Sequence, residues 1–166
     1  MIRKANESDL AKIMTITNEI VVEMKEENNP QWHEGYPTLT DFKIDFDNNA
    51  LYVYEDNEIK GFICIEKDLN DDYSHVPNST KKEAYIMHRL GVKKENRKEG
   101  IAIKLMNYGE YLAKENNVYL MKADTEASNY KMQNLFTKLG YHQLDTFNWS
   151  DNDGTFLYYA KELTQN

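Results

Sequence analysis

Apolar residues recur every three or four positions near the N-terminus of the chain, and this spacing predicts an amphipathic helix. The predicted buried face consists of Leu10, Ile13, Met14, Thr17, Val21 and Met24. A second, shorter helix is predicted to begin at Thr38 or Thr40, either of which can cap it, and to end near Phe46. The loop between the two helices carries two aromatic residues, Trp32 and Tyr36.

The rest of the chain alternates between strand-like and helix-like patterns. Short apolar or alternating runs predict strands at 2–4, 50–54, 58–66, 84–92, 118–123, 141–148 and 155–160. Two more amphipathic helices are predicted, from 101 to about 116 and from Ser128 to Gly140. The polar connection at 67–82 is long for a hairpin and is predicted to be a mobile flap. The resulting order, β-α-α-β-β-β-α-β-α-β-β, predicts an α/β fold in which helices flank one mixed sheet.

Composition narrows the class of protein. The 166 residues, of which 40% are hydrophobic and 29% charged, suit one domain over residues 1–166. The net charge of −8 argues against a nucleic-acid partner, which needs a field of Lys and Arg. Cys64 is the single cysteine and forms no intrachain disulfide, which fits a reducing compartment. Because no apolar run approaches the ~20 residues of a membrane span and no signal-peptide pattern is visible, we expect a cytoplasmic protein with no membrane partner.

The clearest signal for a ligand lies in the segment Arg97-Lys98-Glu99-Gly100-Ile101-Ala102. It follows the strand predicted at 84–92 and begins the third predicted helix. Glycine lets the backbone approach a ligand closely, and a helix N-terminus presents N–H groups with a partial positive charge. A strand, a basic turn with glycine and a helix start therefore predict a phosphate or pyrophosphate site. The alternative is an ordinary surface turn that contains these residues by chance.

The segments around this turn favour the ligand site. The turn is preceded by His88-Arg89-Leu90-Gly91-Val92, and its helix continues with Leu105-Met106-Asn107-Tyr108. Downstream the chain contains Asn129-Tyr130-Lys131-Met132-Gln133-Asn134-Leu135-Phe136-Thr137-Lys138-Leu139-Gly140-Tyr141. In this order and at this spacing, the chain resembles the GNAT-type acyl-CoA N-acyltransferases. The characteristic sequence motifs of this family are an Arg/Gln-x-x-Gly-x-Gly/Ala turn and a later Asn-x-x-Ala-x-x-Leu-Tyr helix that ends at Leu-Gly-Phe.

The resemblance implies the GNAT fold, a central mixed and mostly antiparallel β-sheet flanked by helices. It also implies acetyl-CoA as acyl donor and a primary amine as acceptor, which attacks the thioester directly in a ternary complex, in a monomer or homodimer. No cluster of His and Cys in the sequence suggests a metal, so none is expected. The loop region also contains the acidic residues Glu34, Asp41, Asp45 and Asp47. These residues favour a cationic amine as acceptor, or else they only form a solvated face.

The resemblance further assigns roles to individual residues. The pyrophosphate would be held by the turn residues Arg97, Lys98, Glu99, Gly100, Ile101 and Ala102. The pantetheine arm and the thioester oxygen would be bound by the backbone N–H groups of Leu90, Gly91 and Val92. Asn129 would hydrogen-bond the cofactor, or else only cap its helix. Trp32 and Tyr36 would line the acceptor pocket, or else pack on the core.

Deprotonation of the acceptor amine requires a base, because a free ammonium group has a pKa of ~10.4. His88 is the first choice, since imidazole titrates near neutral pH and this residue alternates with Leu90 and Val92 along the strand. The other possibilities are that His88 is a structural histidine and that water, Glu66 or Glu83 takes the proton.

Phe136 departs from the family. Most members carry a tyrosine at this place, close to the thiol of the cofactor, and that tyrosine can protonate the leaving thiolate. Tyr130 or Tyr141 would assist instead, or the thiolate would leave unaided, since thiol pKa values are only ~8.5. The departure leaves a different class of function open, a non-catalytic acyl-CoA-binding or sensor module. A nucleotide-binding protein is disfavoured, because the turn lacks the Gly-Lys-Ser/Thr ending of a P-loop.

Overall fold

The computed structural model describes residues 1–151 and 153–165, in which seven strands and four α-helices are found. The strands are β1 (Ile2–Lys4), β2 (Leu51–Asp56), β3 (Glu58–Lys67), β4 (Tyr85–Val92), β5 (Leu120–Glu126), β6 (His142–Phe147) and β7 (Phe156–Glu162). The helices are α1 (Leu10–Glu26), α2 (Leu39–Asp47), α3 (Ile101–Glu115) and α4 (Tyr130–Lys138). The predicted order of elements is confirmed. None of the described helices is both long and apolar enough to span a membrane.

The seven strands form one sheet in the order β1-β2-β3-β4-β5-β7-β6. β1 pairs with β2, β2 with β3, and β7 with both β5 and β6 in antiparallel fashion, whereas β4 and β5 are parallel. α3 connects these two parallel strands, which need a crossover of this length. The predicted α/β fold with a mixed, mostly antiparallel sheet is confirmed.

The chain divides into two compact units. Unit 1 comprises Met1–Ile65 and His88–Tyr108, and unit 2 comprises Glu66–Met87 and Gly109–Asn166. The predicted turn at 97–102 therefore belongs to unit 1, together with the predicted base and acceptor-loop residues. The two predicted cofactor residues on and before α4 belong to unit 2.

Unit 1 has its own hydrophobic core. Its buried members are Ala5, Leu10, Ile13, Ile16, Ile20, Trp32, Phe42, Leu51, Val53, Ile59 and Phe62. Ile16 and Ile20 lie outside the predicted face of α1 and are buried. Met14, Val21 and Met24 of the predicted face are only partly buried, at the edges of the core. A packed helix buries a broad stripe of residues. Residue spacing therefore predicts the presence of the helix better than the edges of its buried face.

The connection between β3 and β4 contributes to the core of unit 2. Tyr73 and Val76 are buried there with Ile86 of β4. Asp68 forms a buried ion pair with Lys122 of β5, in which Oδ2 and Nζ are 3.1 Å apart. These contacts hold the connection against the core of unit 2, which differs from the mobile flap predicted for residues 67–82.

Candidate functional site

The turn between β4 and α3 combines left-handed backbone conformations with the start of a helix. After a 3-10 turn at Lys94–Asn96, the chain takes left-handed conformations at Lys98, with φ of 71°, and at Gly100, with φ of 75°. α3 begins directly afterwards, and the carbonyl of Gly100 accepts a hydrogen bond from the N–H of Lys104 at 3.0 Å. The first N–H groups of a helix have no acceptor within it. An anion at this turn would meet those donors and the positive end of the helix dipole.

Glycine is favoured at the two glycine positions of the predicted site for different structural reasons. A Cβ atom at Gly100 would have no contact within 4 Å, so its positive φ rather than crowding favours glycine. A Cβ atom at Gly91 would lie 2.4 Å from Cζ of Phe62 and 3.0 Å from Cδ1 of Ile20. Gly91 is therefore required by packing inside unit 1, whereas the backbone at Gly100 is open to a ligand.

The side chain of Arg97 fastens the turn to α1. Its Nη1 donates a hydrogen bond to Oε1 of Glu23, and its Nε donates to the carbonyl of Val92 at 3.4 Å. Nζ of Lys94 lies 3.8 Å from the second oxygen of Glu23. The Glu23 side chain is largely buried, and it directs the Arg97 guanidinium toward α1. Anion binding at this turn would therefore depend chiefly on its backbone N–H groups.

β4 departs from regular strand geometry at Arg89, which has a left-handed φ of 49°. An L-residue pays roughly 1–2 kcal/mol for this conformation, so contacts elsewhere must hold it. The departure also interrupts the two-residue alternation from which a common face of His88, Leu90 and Val92 was predicted. These three residues are half-buried.

Arg89 is the centre of a buried polar cluster in unit 1. Its Nε and Nη2 donate to the two carboxylate oxygens of Asp45 on α2, each at 2.6 Å. Its Nη1 donates to the hydroxyl of Tyr36 at 2.9 Å, and its Nη2 also lies 3.4 Å from Nε2 of His88. Burial alone would lower the pKa of Arg89, but the hydrogen bonds to Asp45 hold it above its ordinary value. The guanidinium is therefore charged and contacts two of the predicted site residues.

Among the described residues, this cluster also brings three possible metal ligands together. One ligand atom each of Asp45, Cys64 and His88 lies within 4.8 Å of the others. Zinc accepts all three ligand types. Both oxygens of Asp45, however, are bound by Arg89, and a metal ion would lie close to the charged guanidinium. The cluster fits an ion pair better than a metal centre, and the expected absence of a metal stays a prediction.

Residues 18–141, most of the chain, match the model of the acetyltransferase (GNAT) family. The chain belongs to the GNAT acetyltransferase family. The resemblance inferred from the turn and the α4 segment is thereby confirmed. A comparison with curated protein sequences gave no match.

Solved structures of proteins classed as acetyltransferases superpose on nearly the whole chain. A protein of Staphylococcus aureus Mu50 classed as an acetyltransferase is 31% identical, with a TM-score of 0.76 and 99% of each chain covered. A GNAT-family acetyltransferase of Streptococcus agalactiae 2603 is 23% identical, with a TM-score of 0.85 and coverage of 99% of this chain and 96% of that one. YncA of Salmonella typhimurium, solved with its cofactor acetyl-CoA, is 16% identical, with a TM-score of 0.73 and coverage of 100% and 95%. The last two share the fold with this chain.

The aromatic residues predicted for the acceptor loop of this GNAT protein have different surroundings. Trp32 is 5% exposed and stacks on Phe62 in the core of unit 1, with ring centroids 6.3 Å apart. Tyr36 is half-buried, and its hydroxyl accepts the hydrogen bond from Arg89. Of the two roles expected for Trp32, the structure shows packing on the core. A contribution of either residue to an acceptor pocket stays a prediction.

The two predicted cofactor residues of unit 2 lie at the start and in the middle of the GNAT α4 segment. Asn129 caps α4, since its side-chain oxygen accepts a hydrogen bond from the N–H of Met132 at 3.3 Å. Phe136 is 2% exposed, and its ring centroid lies 4.7 Å from that of Tyr159. Both residues therefore have structural roles inside unit 2, and their contacts with a cofactor stay predictions.

The tyrosines considered as substitutes for a hydroxyl at position 136 are also in unit 2. Tyr141 is buried and donates its hydroxyl hydrogen to Glu110 at 3.0 Å. Burial, and then the charge and hydrogen bond of Glu110, raise the pKa of Tyr141. Tyr130 is 70% exposed. The Tyr141 proton is already shared with a carboxylate, which argues against Tyr141 as the acid of a GNAT reaction.

Sequence patterns alone do not indicate that Glu23, Asp45 and Arg89 belong to the candidate site. From the sequence, Asp45 is expected to bind a cationic amine or to lie on a solvated face, but it is 2% exposed and bound to Arg89. Its partner lies 44 positions away, and Glu23 lies 74 positions from Arg97, so local spacing gives no signal. Arg89 carried the one usable signal, a charged residue inside an apolar strand.

Proposed function

We propose that the protein is a single-domain N-acetyltransferase, over residues 1–166, that transfers the acetyl group of acetyl-CoA to a primary amine. The acceptor would be a small molecule or a peptide, attacking directly in a ternary complex, and the enzyme would act in the cytoplasm as a monomer or homodimer. GNAT membership supports acyl transfer. The acetyl-CoA in the YncA structure supports the identity of the donor.

The turn before α3 carries this proposal. Its left-handed residues, Lys98 and Gly100, lead into a helix N-terminus, and the space next to Gly100 is open. Backbone donors arranged in this way suit a diphosphate, which presents several acceptor oxygens and negative charge. The ion pair between Arg97 and Glu23 would keep the turn in place before the cofactor binds. The proposed site is extended by the backbone N–H groups of Leu90, Gly91 and Val92. Asn129 and Phe136, in unit 2, are proposed cofactor contacts on the strength of the family resemblance alone.

Acetyl-CoA supplies an activated acetyl group in the form of a thioester. The chain itself must orient the acceptor, accept one proton from its ammonium group and stabilise negative charge on the carbonyl oxygen. His88, half-buried on β4, is the proposed base. Backbone N–H groups at Leu90 to Val92 are the proposed donors to the carbonyl oxygen. Tyr36 and Trp32 are the proposed contacts to the acceptor.

One observation favours a second function, a non-catalytic acyl-CoA-binding or sensor module. Phe136 offers no proton, and the nearby Tyr141 hydroxyl is bound to Glu110. A binding module would need the turn of unit 1 but not a base or an acid. Binding of coenzyme A would therefore be expected of both functions and cannot distinguish them.

Release of free thiol from acetyl-CoA distinguishes the two functions. The purified protein is incubated with acetyl-CoA and a panel of alkylamines, arylalkylamines and peptides, and the acetylated product is identified by mass spectrometry. The control is the same mixture without amine. We expect amine-dependent thiol release with at least one class of acceptor, because a thioester has a good leaving group and positioning supplies much of the rate. Tight acetyl-CoA binding without thiol release for any acceptor would favour the binding module.

A further inference from the structure

Tyr159 of β7 is a buried tyrosine whose hydroxyl has no hydrogen-bond partner in the part of the chain that the structure describes. The residue is 4% exposed. Burial raises the pKa of Tyr159 above its ordinary value, and no hydrogen bond or charged neighbour contributes to the change. Unlike the hydroxyl of Tyr158, that of Tyr159 is not completely enclosed by protein. Buried polar groups in native proteins are nearly always hydrogen-bonded, so this accessible hydroxyl calls for a partner outside the chain.

The ring of Tyr159 lies against the ring of Phe136 on α4. The two ring centroids are 4.7 Å apart, and the ring planes are inclined by 39°. In the sheet, Tyr159 pairs with Ala123 of β5, whose side chain on the same face has no polar atom. The ring of Tyr141 is also close to Phe136, at 5.7 Å, but its hydroxyl is bound to Glu110 at 3.0 Å. Tyr159 therefore offers an unengaged hydroxyl beside Phe136, whereas Tyr141 does not.

The chemistry of a thioester gives such a hydroxyl a use. When the C–S bond breaks, its electron pair goes to the sulfur atom. A thiol has a pKa of ~8.5 and a tyrosine one of ~10, which burial raises further for Tyr159. The thiolate therefore does not take the phenol proton, but it accepts a hydrogen bond from it, and a hydrogen bond to an ionised group is a strong one. The hydrogen stays on Tyr159, and the released thiolate takes its proton from water.

We infer that the hydroxyl of Tyr159 donates a hydrogen bond to the sulfur atom of the cofactor and stabilises the leaving thiolate, which Phe136 cannot do. The inference rests on the proposed function, because that function places the cofactor beside Phe136. Tyr159 is then a catalytic residue that lies in the last strand, outside residues 18–141, which match the family model. The contact with sulfur is measurable without any acceptor amine and without turnover.

Calorimetric titration with coenzyme A and with desulfo-coenzyme A, which lacks the sulfur atom, tests this contact. It is carried out at about pH 9.5, where the thiol of free coenzyme A is mostly ionised. The test variant is Tyr159→Phe, which keeps the ring against Phe136 and removes only the hydroxyl. The matched control is Tyr158→Phe, which removes a buried hydroxyl from the opposite face of the same strand, where Tyr158 packs against Tyr73. Circular dichroism confirms that both variants fold.

The quantity compared is the ratio of the two dissociation constants, for coenzyme A and for desulfo-coenzyme A. In Tyr159→Phe this ratio should shift against coenzyme A by about tenfold, because a hydrogen bond to an ionised group is lost. In the control it should stay within about twofold of the wild-type ratio. With an amine identified by thiol release, the single-turnover rate of acetyl transfer should also fall by about tenfold in Tyr159→Phe but not in Tyr158→Phe.

An unchanged ratio in Tyr159→Phe would overturn the inference, and so would an equal shift in Tyr158→Phe. If the wild type acetylates no amine, the proposed function fails, while the ratio of dissociation constants still decides whether Tyr159 contacts the sulfur atom. If the wild type binds neither coenzyme A nor desulfo-coenzyme A, both the proposed function and this inference are contradicted.

Discussion

At the scale of single residues, Gly91 faces the ring of Phe62, whereas Gly100 borders open space, so enlarging the two glycines should have different effects. Gly91→Ala is expected to lower the free energy of unfolding by about 3 kcal/mol, because the buried ring and Ile20 must both move. Gly100→Asn should lower it by less than about 1 kcal/mol, since asparagine tolerates the left-handed conformation. Urea denaturation of both variants measures the difference. Equal losses would show that crowding at Gly91 is relieved elsewhere.

The pair of Arg97 and Glu23 makes a second residue-scale prediction. If Arg97 acts by fastening the turn to α1, Arg97→Gln and Glu23→Gln should weaken acetyl-CoA binding by similar factors. The double variant should then bind no more weakly than either single variant, because both remove one interaction. Calorimetric titration of the four proteins measures this cycle. A large loss for Arg97→Gln with unchanged or tighter binding for Glu23→Gln would place the guanidinium on the phosphates instead.

At the scale of elements, α2 supplies Asp45, which accepts two hydrogen bonds from Arg89. The sequence left two starts open for this helix, Thr38 and Thr40, and the structure shows that Thr38 is the cap. The Thr38 hydroxyl accepts from the N–H of Asp41 at 3.3 Å, and Asp41 accepts from the N–H of Thr38 at 2.7 Å. This reciprocal arrangement satisfies two backbone donors that the helix itself leaves unpaired.

Two threonine variants of α2 test this cap against each other. Thr38→Ala is expected to lower the free energy of unfolding by about 1 kcal/mol, since a helix cap is lost. Thr40→Ala, in the first turn of the same helix, should change it by less than about 0.5 kcal/mol. Denaturation with urea gives both values. A larger effect for Thr40→Ala would contradict the assignment of the cap.

Residue spacing predicts the elements themselves but not how the connection between β3 and β4 packs. Order and type of the helices and strands follow from apolar periodicity, which is local. The β3–β4 connection does not, because Tyr73 is buried by residues of distant elements and Asp68 pairs with Lys122, 54 positions away. Its polar composition predicts exposure, whereas Tyr73, Val76 and the Asp68–Lys122 ion pair hold it against the core of unit 2.

At the scale of the whole molecule, the acid stability of unit 1 should depend on Asp9. Burial alone would raise the pKa of Asp9, but hydrogen bonds from Arg3 and from the N–H of Asn6 lower it below its ordinary value of 3.8. The contribution of this carboxylate to stability is therefore present above that value and lost as the pH falls below it.

Asp9→Asn should accordingly destabilise the protein at pH 7 and have a smaller effect as the pH falls below about 3.8. Free energies of unfolding of wild type and variant, measured by urea denaturation across this range, test the prediction. Lys12→Gln, which removes a charge of an exposed pair in the same unit, is the control and should show little change with pH. An effect of Asp9→Asn that is constant with pH would exclude an electrostatic origin.

The whole fold was accessible from the sequence, because the order of elements and two spaced motifs point to one family. The turn was accessible as well, since glycine and basic residues at a strand–helix junction have a direct physical meaning. The polar cluster was not. Arg89 has a left-handed conformation and contacts Asp45 and Tyr36, and both features depend on how α2 and the loop before it pack. The spacing of residues along one element does not predict that packing.

The central claim is that the backbone of the turn before α3 binds the diphosphate of acetyl-CoA, and the variants Gly100→Asp and Gly100→Asn test it most directly. The two side chains have nearly the same shape and both tolerate a positive φ, so they differ in charge. Calorimetric titration with acetyl-CoA should show affinity at least about tenfold weaker for Gly100→Asp than for Gly100→Asn, because a carboxylate would face the phosphates. Circular dichroism confirms that both variants fold. Equal affinities for acetyl-CoA in the two variants would contradict the claim.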